Sequence, residues 1–116
     1  MARPNVAAAP LNAKTVLVSG IDASAVVSAL VYTVPAGRIA VVTFANWTLT
    51  SGAAPTLALQ PTISGVTINL QVGAVGQFLT PSVWLQAADA IRWQVTIGGV
   101  AALVAAAFTV QEYEAV

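Results

Sequence analysis

The polar and apolar positions of this chain alternate. Between residues 91 and 97, Ile91, Trp93, Val95 and Ile97 fall on one phase and Arg92, Gln94 and Thr96 on the other. Residues 66–72 repeat the pattern, with Val66, Ile68, Leu70 and Val72 set against Thr67, Asn69 and Gln71. A period of two marks a strand with one face buried. No stretch shows a helical period. Runs rich in Val, Ile, Thr and aromatic residues at 14–19, 26–34, 38–49, 56–60, 66–72, 77–86, 91–97 and 100–114 predict about eight strands.

Gly and Pro punctuate these runs. The stretch 31–52 reads as strand, tight turn and long strand, with Pro35-Ala36-Gly37 supplying a bend and a residue tolerant of positive φ. The 38–49 run is apolar on both faces, with Ile39 and Val41 on one and Ala40, Val42 and Phe44 on the other. That predicts a central strand buried on two sides. Pro81 marks an edge or a bulge within 77–86. Gly98-Gly99 predicts a two-residue hairpin between the last two strands. In the final run Val104, Ala106, Phe108 and Val110 suit the core. The opposite face reads Leu103, Ala105, Ala107, Thr109, Gln111 and Tyr113. Its first half is small and apolar, where a solvated strand would carry Lys or Glu.

These elements predict an all-β fold: an antiparallel β-sandwich, jelly-roll-like, with about eight strands. At 116 residues the chain makes a single domain over 14–116, preceded by an extended arm at 1–13. The arm is rich in Ala, Pro and Asn and has no period. It is either a disordered terminus or a segment that orders on a neighbour.

Charge changes the picture. Charged residues make up 7% of the chain, four basic and four acidic, where about 25% is usual. A free soluble monomer normally covers itself with more. A membrane span does not explain the deficit, because the apolar runs fall short of about 20 residues. The N-terminus lacks a long apolar core and is broken by Pro4 and Pro10, so it does not read as a signal peptide. Coverage by neighbouring subunits is the better explanation. The zero net charge gives no footprint for nucleic acid.

Candidate chemistry is sparse. The chain has neither His nor Cys, which removes the usual nucleophile–base pairs, thiolate metal sites and disulfides. Asp22, Asp89, Glu112 and Glu114 are the carboxylates. Asp89 and Glu112 approach only if their strands pair, and both sit where turns and chain ends expect polar residues. Arg38 and Arg92 are candidate partners for them at the sheet rim. Asp22 fits a turn that bonds its own backbone. No Asp-x-Asp pattern offers a calcium site and no Gly-rich loop carries a phosphate-binding Lys. No enzyme activity and no cofactor are expected. Trp93 follows the inward phase, whereas Trp47 and Trp84 read as rim or interface residues, with sugar stacking as the alternative.

Two motifs carry a resemblance. Tyr32-Thr33-Val34-Pro35-Ala36-Gly37-Arg38, and later Leu85-Gln86-Ala87-Ala88-Asp89-Ala90-Ile91, resemble a pattern found in small virion proteins of tailed bacteriophages. In those, the second motif carries Gly where Ala88 stands here. With the β-run that ends in Thr50-Ser51-Gly52 and the hairpin expected over 95–114, which also resembles theirs, the likeness covers about half the chain. It implies a non-enzymatic structural role such as head decoration (cement), head fibre, or neck or tail component. The expectation is therefore a capsid decoration protein located in the virion and made in the host cytoplasm. It would be a homo-oligomer, a trimer by preference, contacting the major capsid protein or other virion proteins, with no nucleic acid and no membrane as partner. The expected subunit-interface residues are Val6, Leu11, Trp47, Trp84, Leu103, Ala105 and Ala107.

Overall fold

Which side of each strand turns inward follows from the alternation, and the structure shows how the strands share two layers. It is a computed structural model that describes residues 12–73, 77–79 and 82–115, with side chains over 20–70 and 82–115. The strands are β1 (Asn12–Asp22), β2 (Val27–Thr33), β3 (Arg38–Ser51), β4 (Thr56–Ile63), β5 (Val66–Thr67), β6 (Gln71–Gly73), β7 (Gln77–Leu79), β8 (Val83–Gln86), β9 (Ala90–Ile97) and β10 (Leu103–Glu114). There is no helix among the described residues.

The first sheet runs β1-β10-β3, with β7 and β8 both on the far side of β3. The second runs β2-β9-β4, with β5 and β6 both on the far side of β4. All pairs are antiparallel. Taking β5 with β6, and β7 with β8, as single interrupted strands gives eight strands in the order 1-8-3-6 and 2-7-4-5. That is the jelly roll.

Between the sheets lies one apolar core. Trp93, Leu57, Leu59, Ile91, Val95, Leu30 and Tyr32 enter it from the second sheet, and Trp47, Phe108, Val42, Val104, Val110 and Leu85 from the first. Two polar bonds cross it. Trp93 Nε1 donates to the Ala107 carbonyl at 3.2 Å, and the Tyr32 hydroxyl donates to Glu112 at 2.5 Å. Tyr32 also meets Phe108 edge to face, with ring centroids 6.4 Å apart.

Several expectations need correction. The hairpin expected at Gly98-Gly99 is a crossover, because β9 and β10 belong to different sheets. Neither glycine has the positive φ of a primed turn. The tight hairpin is instead at Ser64-Gly65, where both residues have positive φ (51° and 80°) and Ile63 pairs with Val66. The strand expected over 66–72 is broken into β5 and β6, and Val66, Ile68 and Leu70 stand exposed. The first strand starts at Asn12, two residues inside the stretch assigned to the arm, and runs through Gly20 (φ 70°) to Asp22 by a bulge. The Pro35-Ala36-Gly37 turn is present, with Gly37 at φ 76° and Arg38 N donating to the Pro35 carbonyl at 3.3 Å. Pro81 lies outside the described residues. Around it, Leu79 pairs Ala45 while Val83 pairs Val42, so one extra residue is accommodated on that edge.

A second bulge matters more. On β10, Thr109 and Val110 are consecutive, yet they pair with Phe44 and Val42 on β3. Thr43 is the extra residue, and it inverts the phase of β3. Before it Ala40 and Val42 face the core; after it Ala45 and Trp47 do, and Phe44 turns outward.

Candidate interaction surface

The side chains that remain outside the core define two very different faces. On the second sheet most outward residues are polar and several bond to one another, with Val31 beside Arg92 as an exposed apolar exception. Gln60 Nε2 donates to Asn69 Oδ1 at 2.9 Å, the Thr62 and Thr67 hydroxyls meet at 2.7 Å, and Ser28 Oγ donates to Gln94 Oε1 at 2.8 Å. Arg92 Nη2 donates to Thr62 Oγ1 at 3.4 Å, and Thr96 Oγ1 to the Thr56 carbonyl at 3.2 Å.

The first sheet presents Leu103, Ala105, Ala107, Thr109, Gln111 and Tyr113 on β10 beside Ser51, Thr48, Asn46, Phe44, Val41 and Ile39 on β3. Trp84 and Gln86 of β8 extend this face. None of these side chains is charged, although at the β1 edge of the same face the exposed Asp22 pairs with Leu103. Trp84 and Tyr113 approach across β3 with ring centroids 5.5 Å apart. There Ile39 and Val41 are buried although they point away from the main core. This explains the doubly apolar sequence of β3: one apolar face lines the core and the other lies under an aromatic pair.

The expected interface residues divide. Leu103 is exposed on this face, with Ala105, Ala107 and Trp84 half-buried on it. Trp47 is wholly buried in the core and offers nothing to a neighbour. The bulge at Thr43 is the reason: without it, Trp47 would share the outward phase of Ile39 and Val41. Its burial also removes half of the expected Trp47–Trp84 sugar platform. Val6 and Leu11 lie outside the described residues.

The carboxylates have structural positions. Asp22 accepts bonds from Ser24 Oγ (2.6 Å) and Ser24 N (2.9 Å), which hold its carboxyl below the usual carboxylate range. Asp89 is buried and accepts bonds from Gln86 N (2.9 Å) and Ser64 N (3.1 Å), tying its own turn to the Ser64-Gly65 hairpin. Ala88 in that turn has a φ of 72°, the conformation that explains Gly in the resembling motif. Glu112 is not at an exposed rim but 1% accessible, in the inward phase of β10 after Phe108 and Val110. It accepts the Tyr32 hydroxyl and pairs with Arg38 Nη1 at 3.3 Å. Burial and the Glu112 carboxylate push the Tyr32 hydroxyl's pKa well above its ordinary value. The sequence carried a signal for this site, since Tyr32 and Glu112 each continue an inward phase. Arg92 bonds Thr62 rather than either expected carboxylate. No cluster of three His, Cys, Asp or Glu side chains exists among the described residues.

The fold and this face together define a jelly-roll sandwich with one mostly polar outer sheet and one whose β10, β3 and β8 present an uncharged surface. No family model matches the chain, and no curated protein sequence does. Among solved structures it is similar to the crystal structure of the Drosophila NLP core, described for its pentamer formation and histone binding. The identity is 11% and the TM-score 0.50, covering 86% of this chain and 98% of that one. It also matches the extra small virus particle of the prawn Macrobrachium rosenbergii, solved by cryo-electron microscopy. That identity is 15% and the TM-score 0.25, covering 94% of this chain and 86% of that one. The first likeness is one of fold, and the second is too distant to carry an argument.

Proposed function

We propose that this chain is a structural, non-enzymatic subunit of a virion, and within that class a capsid decoration protein of a tailed bacteriophage. The observation that carries the reading is the uncharged surface that β10, β3 and β8 present on the outer face of the first sheet. A sheet face left to water carries Lys, Glu or hydrogen-bonded polar side chains, as the second sheet does. The Leu103, Ala105 and Ala107 row beside Phe44 and the Trp84–Tyr113 pair is suited to burial against another subunit. The motifs at 32–38 and 85–91 direct the reading toward phage heads. Decoration then acts by adding buried area at many equivalent positions on the shell, so that small contacts sum to resistance against internal pressure.

The chain is read as a homo-oligomer, with a trimer as the expected state and the major capsid protein as the further partner. A neck or tail position is the second reading, and a larger closed ring would favour it. The test is binding to purified expanded phage heads that lack decoration. Ala107→Lys is expected to lower head occupancy at least about tenfold, and Gln94→Lys on the other sheet to leave it unchanged. Equal binding by both variants, or by neither, contradicts the reading.

A further inference from the structure

The uncharged face has a counterpart in the sequence just before β1. Residues 3–11, Arg3-Pro4-Asn5-Val6-Ala7-Ala8-Ala9-Pro10-Leu11, hold one charge, three alanines and the apolar side chains of Val6 and Leu11. They lie outside the described residues, but the point from which they leave is fixed. Asn12 is in register with Glu112 of β10, the residue before Tyr113. β10 ends two residues further on, at Glu114. The line of β1 therefore carries the segment off the end of its own sheet, at the aromatic end of the face.

The chemistry of the segment restricts how it can bind. Pro4 and Pro10 have no N–H, so the segment makes a poor inner strand of a ladder. Each proline fixes its own φ and disfavours the helical region for the residue before it, Arg3 or Ala9. A segment biased in this way toward extension loses less freedom when it is laid on a surface.

The face, in turn, restricts what can cover it. Ala105, Ala107 and Thr48 are short, whereas Phe44 and the Trp84–Tyr113 pair are large. A flat sheet resting on the aromatic rings would stand off the alanines and forfeit contact there, whereas one extended chain of small residues can follow both levels. The lengths agree. Leu103 and Tyr113 lie about 34 Å apart along β10 at the usual rise per residue, and residues 3–11 span about 27 Å when extended, to which the arginine side chain adds its own reach. The charges agree as well. Of the four carboxylates, Asp89 and Glu112 are buried, and the two exposed ones stand at the two ends of this face. Asp22 is in register with Leu103, and Glu114 follows Tyr113. Arg3 meets a carboxylate whichever way the segment runs, and Val6, near the middle of the segment, falls near Ala107 in the middle of the face.

We infer that residues 3–11 of one copy lie along the β10–β3–β8 face of the next, with Val6 beside Ala107 and Arg3 against an exposed carboxylate at the end of the face. The inference rests on the reading of that face as a subunit contact and names what fills it. Segment and face are unlike patches, and contacts of that kind close into a ring when the rotation permits, a trimer among them.

The test uses full-length variants. Val6→Asp is expected to weaken self-association at least about tenfold, read from sedimentation mass over a range of dilutions. The chain has no cysteine, so introduced thiols report without background. In the double variant Val6→Cys, Ala107→Cys, mild oxidation is expected to join position 6 of one chain to position 107 of another, seen as covalent oligomers under denaturing, non-reducing conditions. A disulfide within one chain would put the segment on its own face and overturn the inference, as would the absence of any link between positions 6 and 107. Self-association of Val6→Asp at the parent's strength, with Ala107→Lys dissociated, overturns the inference while leaving the sheet-face reading intact. Parent strength in both variants overturns both.

Discussion

The two outer sheet faces are built on the same strand geometry and finished in opposite ways. On the second sheet Gln60, Asn69, Thr62, Thr67, Ser28 and Gln94 form side-chain pairs across strands, and Arg92 joins them. On the first sheet Leu103, Ala105, Ala107 and Phe44 occupy the equivalent outward positions, and Trp84 and Tyr113 close over Ile39 and Val41. The inner faces, by contrast, are alike: both are apolar, and both contribute to the bonds that join the layers. The difference therefore has nothing to do with holding the fold together. On the proposed reading, the β10–β3–β8 face is the one that a neighbour covers, and such coverage fits a chain in which only 7% of residues are charged.

The comparison can be broken at several points. The largest expected effect is on the frame that both sheets share. Gly52 has a φ of 83° and no room for a Cβ beside the Ala101 carbonyl. Gly52→Ala should lower the unfolding free energy by about 3 kcal/mol or more, read from urea midpoints. Next comes the polar bond between layers. Tyr32→Phe leaves the buried Glu112 carboxylate without its hydroxyl donor and should cost about 2 kcal/mol with an unchanged m-value. Because folding raises the Tyr32 pKa, the protonated phenol favours the native state. That contribution is complete below the unfolded pKa of about 10 and fades as pH rises beyond it. Urea midpoints measured from pH 9 upward should fall in the parent, and Tyr32→Phe should remove that part of the fall.

Smaller effects sharpen the contrast. Ala88→Gly relieves a left-handed backbone and should add about 1 kcal/mol. Gln94→Lys on the polar sheet should change stability by no more than about 0.5 kcal/mol. A large loss there, in the same denaturation assay, would mean that the polar face is not finished by itself.

Much of this was legible in the sequence because alternation is local. Ile91, Trp93 and Val95 and the final strand announced their inward residues correctly, whereas Ile97, on the same phase, stands exposed at the strand's end; the turn at Pro35-Ala36-Gly37 formed as its residues require. What escaped depends on pairing. The bulge at Thr43 exists only because β3 gains a residue against β10, and it alone moves Trp47 from the surface to the core. Gly98-Gly99 resembles a hairpin in sequence, but its glycines answer to the loops of Ser24 and Ala53, which are distant along the chain. Val66, Ile68 and Leu70 alternate as buried residues do, yet the broken edge leaves them uncovered in a single copy. On the candidate face, Leu103, Ala105 and Ala107 were readable from their apolar outward phase. The Trp84–Tyr113 pair was not, because the two residues meet across an intervening strand.

The measurement that tests the central claim most directly is the sedimentation mass of the purified chain over a wide dilution range, with Ala107→Lys alongside. The parent should hold a constant oligomeric mass, expected as a trimer, while Ala107→Lys dissociates at concentrations where the parent does not. A parent that sediments as a monomer throughout, equal in mass to Ala107→Lys at every dilution, would contradict the claim that the outward face of β10, β3 and β8 is a subunit contact between copies.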